Sequence, residues 1–410
     1  MKRLLSAFLI GVSCSCLVSQ EKFSDQIKVK EDLSEILRNI SQNYIYLEDK
    51  SVDLDCIKAH YEKQIPFIKT EEQTVLFFEY LLDEFYDSHL ILNTNRRSSY
   101  RLYSPIYVTI KEQKPIISNV WISQTENPYQ NVVGAEVLKI NGIDINRAME
   151  DFPTHCHNKN SLAVREWIVN KILAGRYNKP RVITIKMPGN KPVEIDLDKI
   201  TIKAEKGLLT SSIENEIGII RINNSLGNNN LISTFDKALD KMMDTKGLII
   251  DLRNTVDGGN SYVARGIMGR FISETKPYQK HWTIEQFDEK TSVERTWLEY
   301  VSPRKQQYKQ PVVILVGRWT GSMGEGLAIG FEGIERAQIV GTEMERLAGE
   351  MTGFTFKNQP FGYRLSTAKL YHINGTPREE YIPTNYVEQA TTDEDLVLIK
   401  GIEMISEMQQ

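Results

Sequence analysis

The sequence predicts a mixed α/β protein with an N-terminal helical segment, a small β-rich module and a larger α/β core. Three stretches carry that prediction. Residues 311–330, PVVILVGRWTGSMGEGLAIG, pass from an uninterrupted apolar run through a glycine-flanked serine into a run of helical character, which reads as strand, sharp turn and helix. Residues 219–222, 231–243 and 247–252 read as strand, crossover helix and buried strand, an order that implies a parallel or mixed sheet. Between residues 100 and 200 the pattern is a series of short β runs.

The 410 residues and 41% hydrophobic composition are enough for two or three cores. A formal charge of −4, with no basic run longer than pairs such as Arg96-Arg97, gives no nucleic-acid footprint. Residues 1–16 have a basic start at Lys2 and Arg3, an apolar stretch from Leu4 to Val12 and then small residues. That is an export signal, too short to span a membrane as a mature helix. The expected location is therefore the periplasm or cell envelope. Cys14 and Cys16 each follow a serine, as at a lipoprotein cleavage site, but neither has the usual leucine three residues before it, so lipid anchoring at either is left open. Cys56 and Cys156 remain for at most one internal disulfide.

Residues 24–95 read as helical, with helices over 31–46 and 74–86. In the second, Val75, Phe78, Leu82 and Phe85 form one apolar face. It stops at Asp87-Ser88-His89, ahead of a short strand at 90–92. His89 reads either as a capping or core residue or, with only six histidines in the chain, as a candidate base. In the module at 100–200, strands are expected over 106–110, 115–122, 136–140, 181–186 and 192–195, the last two joined as a hairpin, with a helix at 162–173. The segment 134–142, GAEVLKING, resembles the "G-D-x-V-L-x-I-N-G" run of PDZ domains, which add a peptide strand to a sheet edge. His155-Cys156-His157 invites a metal reading, but no further ligand lies nearby, and a polar loop is expected instead.

The core occupies 213–410. Its strand at 247–252 runs into Arg253-Asn254-Thr255-Val256-Asp257-Gly258-Gly259 and then a helix at 262–271. Sites in such sheets lie beyond the strand C-termini, so this glycine turn and the one at Gly321-Ser322 are expected to face one another. Ser322 has two readings. It is the N-cap of an ordinary helix, with Glu325 closing a capping box, or it is a nucleophile at a helix N-terminus, where N–H groups favour developing negative charge.

Together these segments resemble the tail-specific, or C-terminal processing, serine protease family, which implies a crotonase-like core. Residues 247–259 resemble its "G-x-I-x-D-L-R-x-N-x-G-G" segment, 312–325 its nucleophile strand and turn, and 338–341 the strand that follows. The turn at 254–258 is one residue longer than usual. Much of the family pairs its serine with a lysine, yet no lysine occurs between Ser322 and Lys357, and arginine does not deprotonate. The tricorn-core branch uses serine, histidine and glutamate instead. The resemblance then implies Ser322 as nucleophile, His89 as base in an Asp-small-His pattern, and Glu379 or Glu380 as the orienting carboxylate, with Glu379 preferred. Oxyanion donors would be the N–H groups of Met323 and of Gly258 or Gly259. The expected activity is endopeptidase cleavage of peptides or unfolded proteins, with no cofactor and no metal. A non-catalytic peptide- or ligand-binding protein on the same core and a serine esterase are the competing readings.

Overall fold

The computed structural model describes residues 25–126, 131–286 and 291–409. The expected export signal, with Cys14 and Cys16, lies outside the described residues. Among those described, no helix is long and apolar enough to cross a membrane.

The core sheet has six strands in the order Asn385–Tyr386, Gln338–Gly341, Val312–Val316, Gly247–Asp251, Ile217–Ile222 and Leu209–Glu214. The first five are parallel and the last closes the edge antiparallel. Alternating side chains serve opposite faces. Leu248, Ile250, Val312, Ile314 and Val316 join a cluster that includes residues of the helices Leu231–Asp240, Ser261–Met268 and Met323–Gly333. Ile249, Val313 and Leu315 pack on Met404 and Ile405 of the helix Leu396–Glu407. With both faces covered, the central strands have no need of polar residues, which is why they read as unbroken apolar runs. The strands Gly247–Asp251 and Val312–Val316 are parallel neighbours, so the turns that follow them leave the same edge of the sheet side by side.

A second sheet is built around Gly362–Tyr371, which pairs with Ile91–Leu92, Glu350–Thr355 and Lys276–Glu285, and the last of these pairs on with Val293–Val301. The sequence reading contains none of the strands at 276–301 or 350–371. Charged residues are interleaved through them and much of Val293–Val301 faces solvent, so no apolar run marks them.

This sheet docks the N-terminal helices Gln26–Asn43, Leu54–Gln64 and Glu71–Asp83 onto the core. Phe78, Phe85 and Leu90 share a cluster with Phe356, Phe361, Tyr363 and Leu365. The helix Glu71–Asp83 begins earlier than its apolar pattern suggests because Thr70 and Gln73 form a capping box. The module between carries strands Ile106–Lys111, Lys114–Val120, Glu136–Ile140, Val182–Lys186 and Val193–Asp196, with the helix Leu162–Ala174 packed on them. Cys56 and Cys156 form a disulfide across a sequence separation of 100 residues, joining the helix Leu54–Gln64 to this module. The flanking histidines reinforce the joint. His155 stacks on His60 with centroids 4.1 Å apart, and His157 Nε2 lies 3.0 Å from the Lys50 carbonyl oxygen. Among the described residues no His/Cys/Asp/Glu group is arranged to hold a metal ion.

Candidate active site

The two glycine turns meet. The Thr255 N–H donates to the Trp319 carbonyl and the Gly321 N–H donates back to the Thr255 carbonyl. Gly258 lies against the serine so closely that a Cβ on it would fall 2.4 Å from Ser322 Cβ, and its φ of +66° is itself unfavourable to a side chain. The turn is anchored from below by Arg253. Its guanidinium bonds both Asp251 and Asp395, and Asp395 caps the helix Leu396–Glu407. The D-L-R run of the sequence is thus a strut joining strand, turn and C-terminal helix.

Ser322 sits at φ 50°, ψ −111°, half-buried, at the start of the helix Met323–Gly333. An ordinary N-cap is extended, so this conformation, which costs on the order of 1–3 kcal/mol, is not what capping requires. Ser322 and Glu325 nevertheless form the expected capping box. The Glu325 Oε2 accepts the Ser322 N–H at 3.1 Å, while Oε1 accepts the Arg346 N–H at 2.6 Å. Glu325 is fully buried, and burial pushes its carboxyl up to about 7 despite Arg378 close by. Of the expected oxyanion donors, Gly258 already donates its N–H to the Thr255 carbonyl at 2.9 Å. Among the described residues the Met323 and Gly259 N–H groups have no acceptor.

His89 follows a turn built by Asp87, whose Oδ1 accepts the His89 N–H at 2.8 Å and whose Oδ2 accepts the Tyr44 hydroxyl at 2.7 Å. The imidazole is buried, and its Nδ1 lies 2.8 Å from the Ala348 carbonyl oxygen. A carbonyl can only accept, so the proton resides on Nδ1 and Nε2 carries the free lone pair. That is the tautomer a general base needs. Nε2 is buried without a hydrogen-bond partner, so no bond joins it to Ser322 in this structure. Burial, and next the Arg378 charge, pull the imidazole down to about 4.

Serine and histidine are held around one loop. Residues 345–350 supply the Arg346 N–H to Glu325, the Ala348 carbonyl to His89, and the Leu347 and Gly349 carbonyls to the buried Arg378 Nη2 at 2.7 and 3.0 Å. Arg378 Nε is 3.7 Å from Glu325 Oε2. This arginine sits where sequence reasoning looked only for carboxylates, and nothing in the R-E-E run distinguishes it. The segment bearing Glu379 and Glu380 is a 3-10 turn, Arg378–Glu380, rather than a strand end. The turn still separates the pair: Glu379 faces inward beside Tyr46 and Arg378, its carboxyl raised by burial, and Glu380 is exposed. Neither is bonded to His89.

A cleft of about 400 Å³ runs past this loop, lined by Asp87, Ser88 and Ala348, by Trp319 and Glu345, and by Glu166, Trp167 and Asn170 of the middle module. Ser322 is not among the residues that line it.

Residues 216–387 match the model of peptidase family S41, and residues 26–83 match the tricorn protease C1 domain. The match to peptidase family S41 covers the core, and the match to the tricorn C1 domain covers the N-terminal helices. Solved S41-type folds agree. Mature CPAF in complex with lactacystin superposes with a TM-score of 0.61 at 14% identity over 94% of this chain and 98% of the other. The photosystem II D1 C-terminal processing protease gives 0.54 at 14% over 91% and 96%. A putative peptidase from Parabacteroides merdae gives 0.53 at 16% over 94% and 97%. Among curated protein sequences there is no match. The S41 fold, with N-terminal helices and several sheets, is thus the architecture of this chain, and its activity class is that of a peptidase.

Proposed function

We propose that this S41 chain is an exported serine endopeptidase in which Ser322 attacks the scissile carbonyl, His89 is the general base and Glu379 is the supporting carboxylate. The observation that carries the reading is the backbone of Ser322. A serine at positive φ on a strand–turn–helix junction, pressed against Gly258 and beside two unengaged N–H groups, is costly as a cap and useful as a nucleophile. Attack would place the developing oxyanion at the Met323 N–H, with Gly259 as the second donor because the Gly258 N–H already has an acceptor. The Nδ1-protonated tautomer leaves His89 Nε2 able to take the serine proton and return it to the leaving amine. His89 Nε2 must first close on Ser322, a tightening that substrate in the cleft would bring about. The cleft has room for an extended peptide segment, and the substrates we assign are peptides or unfolded proteins.

Export is supported by the leader at residues 1–16 and by the Cys56–Cys156 disulfide, a bond that persists in oxidising compartments. We assign the chain to the periplasm or cell envelope, with lipidation at Cys14 or Cys16 as its means of attachment. The PDZ resemblance at 134–142 falls on the strand Glu136–Ile140, and we assign the module peptide capture at a sheet edge.

The test is labelling of the mature protein with a fluorophosphonate probe, followed by mapping of the modified residue. Modification at Ser322, abolished in Ser322→Ala, is the expected result. A folded wild-type protein that takes up no label while still hydrolysing an unstructured peptide would remove Ser322 from the mechanism.

A further inference from the structure

One acidic side chain at the site has no role in the mechanism above. The Glu345 N–H donates to the Thr320 carbonyl at 3.0 Å, which places the residue beside the nucleophile turn. Its Oε2 is sealed from solvent with no hydrogen-bond partner, although part of the residue lines the cleft. A Cβ built on Gly321 would lie 2.2 Å from that Oε2 and 2.5 Å from the Val256 carbonyl oxygen, so an oxygen of the 345–350 loop and one of the glycine turn flank the same point beside Gly321. An ionised carboxylate there would face a carbonyl oxygen with no cation in reply. The nearby cations are engaged elsewhere: Arg318 and Arg346 both pair with Glu343, and Arg378 lies by Glu325. A protonated carboxyl, by contrast, has an O–H to offer the Val256 carbonyl.

We propose that Glu345 is a positioning residue of the S41 site, its carboxyl clasping the nucleophile turn at Gly321 to the glycine turn at Val256 and so fixing Ser322 relative to the Met323 and Gly259 donors. The inference rests on Ser322 as nucleophile. Gly321 is glycine because the clasp occupies the space a side chain would need. Burial, reinforced by the Glu325 and Asp257 carboxylates, holds the Glu345 carboxyl well above the ordinary range and keeps the proton in place. The other titratable groups around it are Tyr103 of the middle module, Glu325 of the following helix and Asp257 of the glycine turn. The clasp would open as Glu345 ionises, which predicts a loss of activity on the alkaline side that His89 cannot cause, since its deprotonation favours catalysis.

The experiment follows two readouts in the full chain. In the first, protein labelled with ¹³C at glutamate carboxyls is titrated by NMR, and one carboxyl that ionises well above the ordinary carboxylate range should vanish in Glu345→Gln. In the second, fluorophosphonate labelling of Ser322 is timed across pH. Glu345→Ala should slow labelling by about tenfold at neutral pH, the loss expected for one positioning hydrogen bond. Glu345→Gln, whose amide can still donate to Val256, should recover most of that loss and lack the alkaline fall of wild type. Identical pH profiles in wild type, Glu345→Gln and Glu345→Ala would overturn the proposal, as would a titration with no high-ionising carboxyl removed by Glu345→Gln. Absence of label at Ser322 in wild type would instead sink the nucleophile, and the positioning role with it, while the NMR titration still decides the state of Glu345.

Discussion

A buried imidazole without a charged partner makes a pH-dependent contribution whose sign is fixed. The free His89 side chain would titrate at 6.5 and the folded one at about 4, so between those values the unfolded chain binds a proton that the folded protein refuses. Stability is then full above pH 6.5 and falls as pH drops to about 4, by on the order of 3 kcal/mol. Denaturant unfolding at pH 7 and pH 5 should register the loss in wild type and much less of it in His89→Phe; an equal loss in both would place it on other groups. The acid limb of peptide turnover should likewise lie near pH 4 rather than near 6.5. The carboxylate pair gives a sharper contrast. Glu379 is tucked beside Arg378 and Tyr46 while Glu380 is exposed, so Glu379→Gln should lower kcat with little change in KM and Glu380→Gln should change stability by less than about 0.5 kcal/mol. Equal and mild effects would mean that the Ala348 carbonyl alone orients the histidine. Ser322 and His89 were open to proposal from sequence because their neighbours are distinctive, a glycine turn in one case and an Asp-Ser-His helix end in the other. Arg378 and Glu345 were not, because a buried charge or acid takes its meaning from atoms contributed by distant segments.

At the scale of elements, the same contrast separates apolar runs from polar ladders. The central strands Gly247–Asp251 and Val312–Val316 stand out in sequence since both their faces are covered. The long antiparallel pair Lys276–Glu285 and Val293–Val301 does not, because solvent permits charge on one side. Cysteine arithmetic reached a single internal disulfide, but the element it secures is visible only in three dimensions. Glu84 accepts the N–H groups of both His155 and Cys156, and Tyr86 Oη lies 2.7 Å from Thr154 Oγ1, so the disulfide loop grips the segment leading to His89. Opening a loop of this length is expected to cost about 2–5 kcal/mol. The Cys56→Ser/Cys156→Ser variant should therefore melt at lower temperature, and reductant should lower the melting temperature of wild type to the same value. A wild-type protein indifferent to reductant would mean that the bond contributes nothing to holding the N-terminal helices.

For the whole molecule, the question is how a module at 100–200 can act on chemistry performed by the core. Two indoles provide the connection. Trp121 of the module and Trp319 of the nucleophile turn stack with planes 2° apart and centroids at 5.3 Å. The Trp121 Nε1–H donates to the Arg253 carbonyl at 2.8 Å, and the Trp319 Nε1–H donates to the Ser104 carbonyl at 2.9 Å. Each domain thus holds a backbone atom of the other, and the core atoms involved belong to the two turns that form the site. Displacement of the module would be felt as displacement of Ser322 against the Met323 and Gly259 N–H groups, and for the nucleophile we propose an error near 1 Å can cost up to about two orders of magnitude in rate. Trp121→Ala should therefore lower kcat by one to two orders of magnitude at temperatures where the protein remains folded. Val137→Ala, which thins the module's own core without touching the stack, separates this from simple destabilisation. It should lower the melting temperature, by roughly the 1–3 kcal/mol typical of a buried truncation, and leave kcat nearly intact. If the two variants lose activity in proportion to their stability, the module is only a scaffold, and the indole pair carries no information to the catalytic turn.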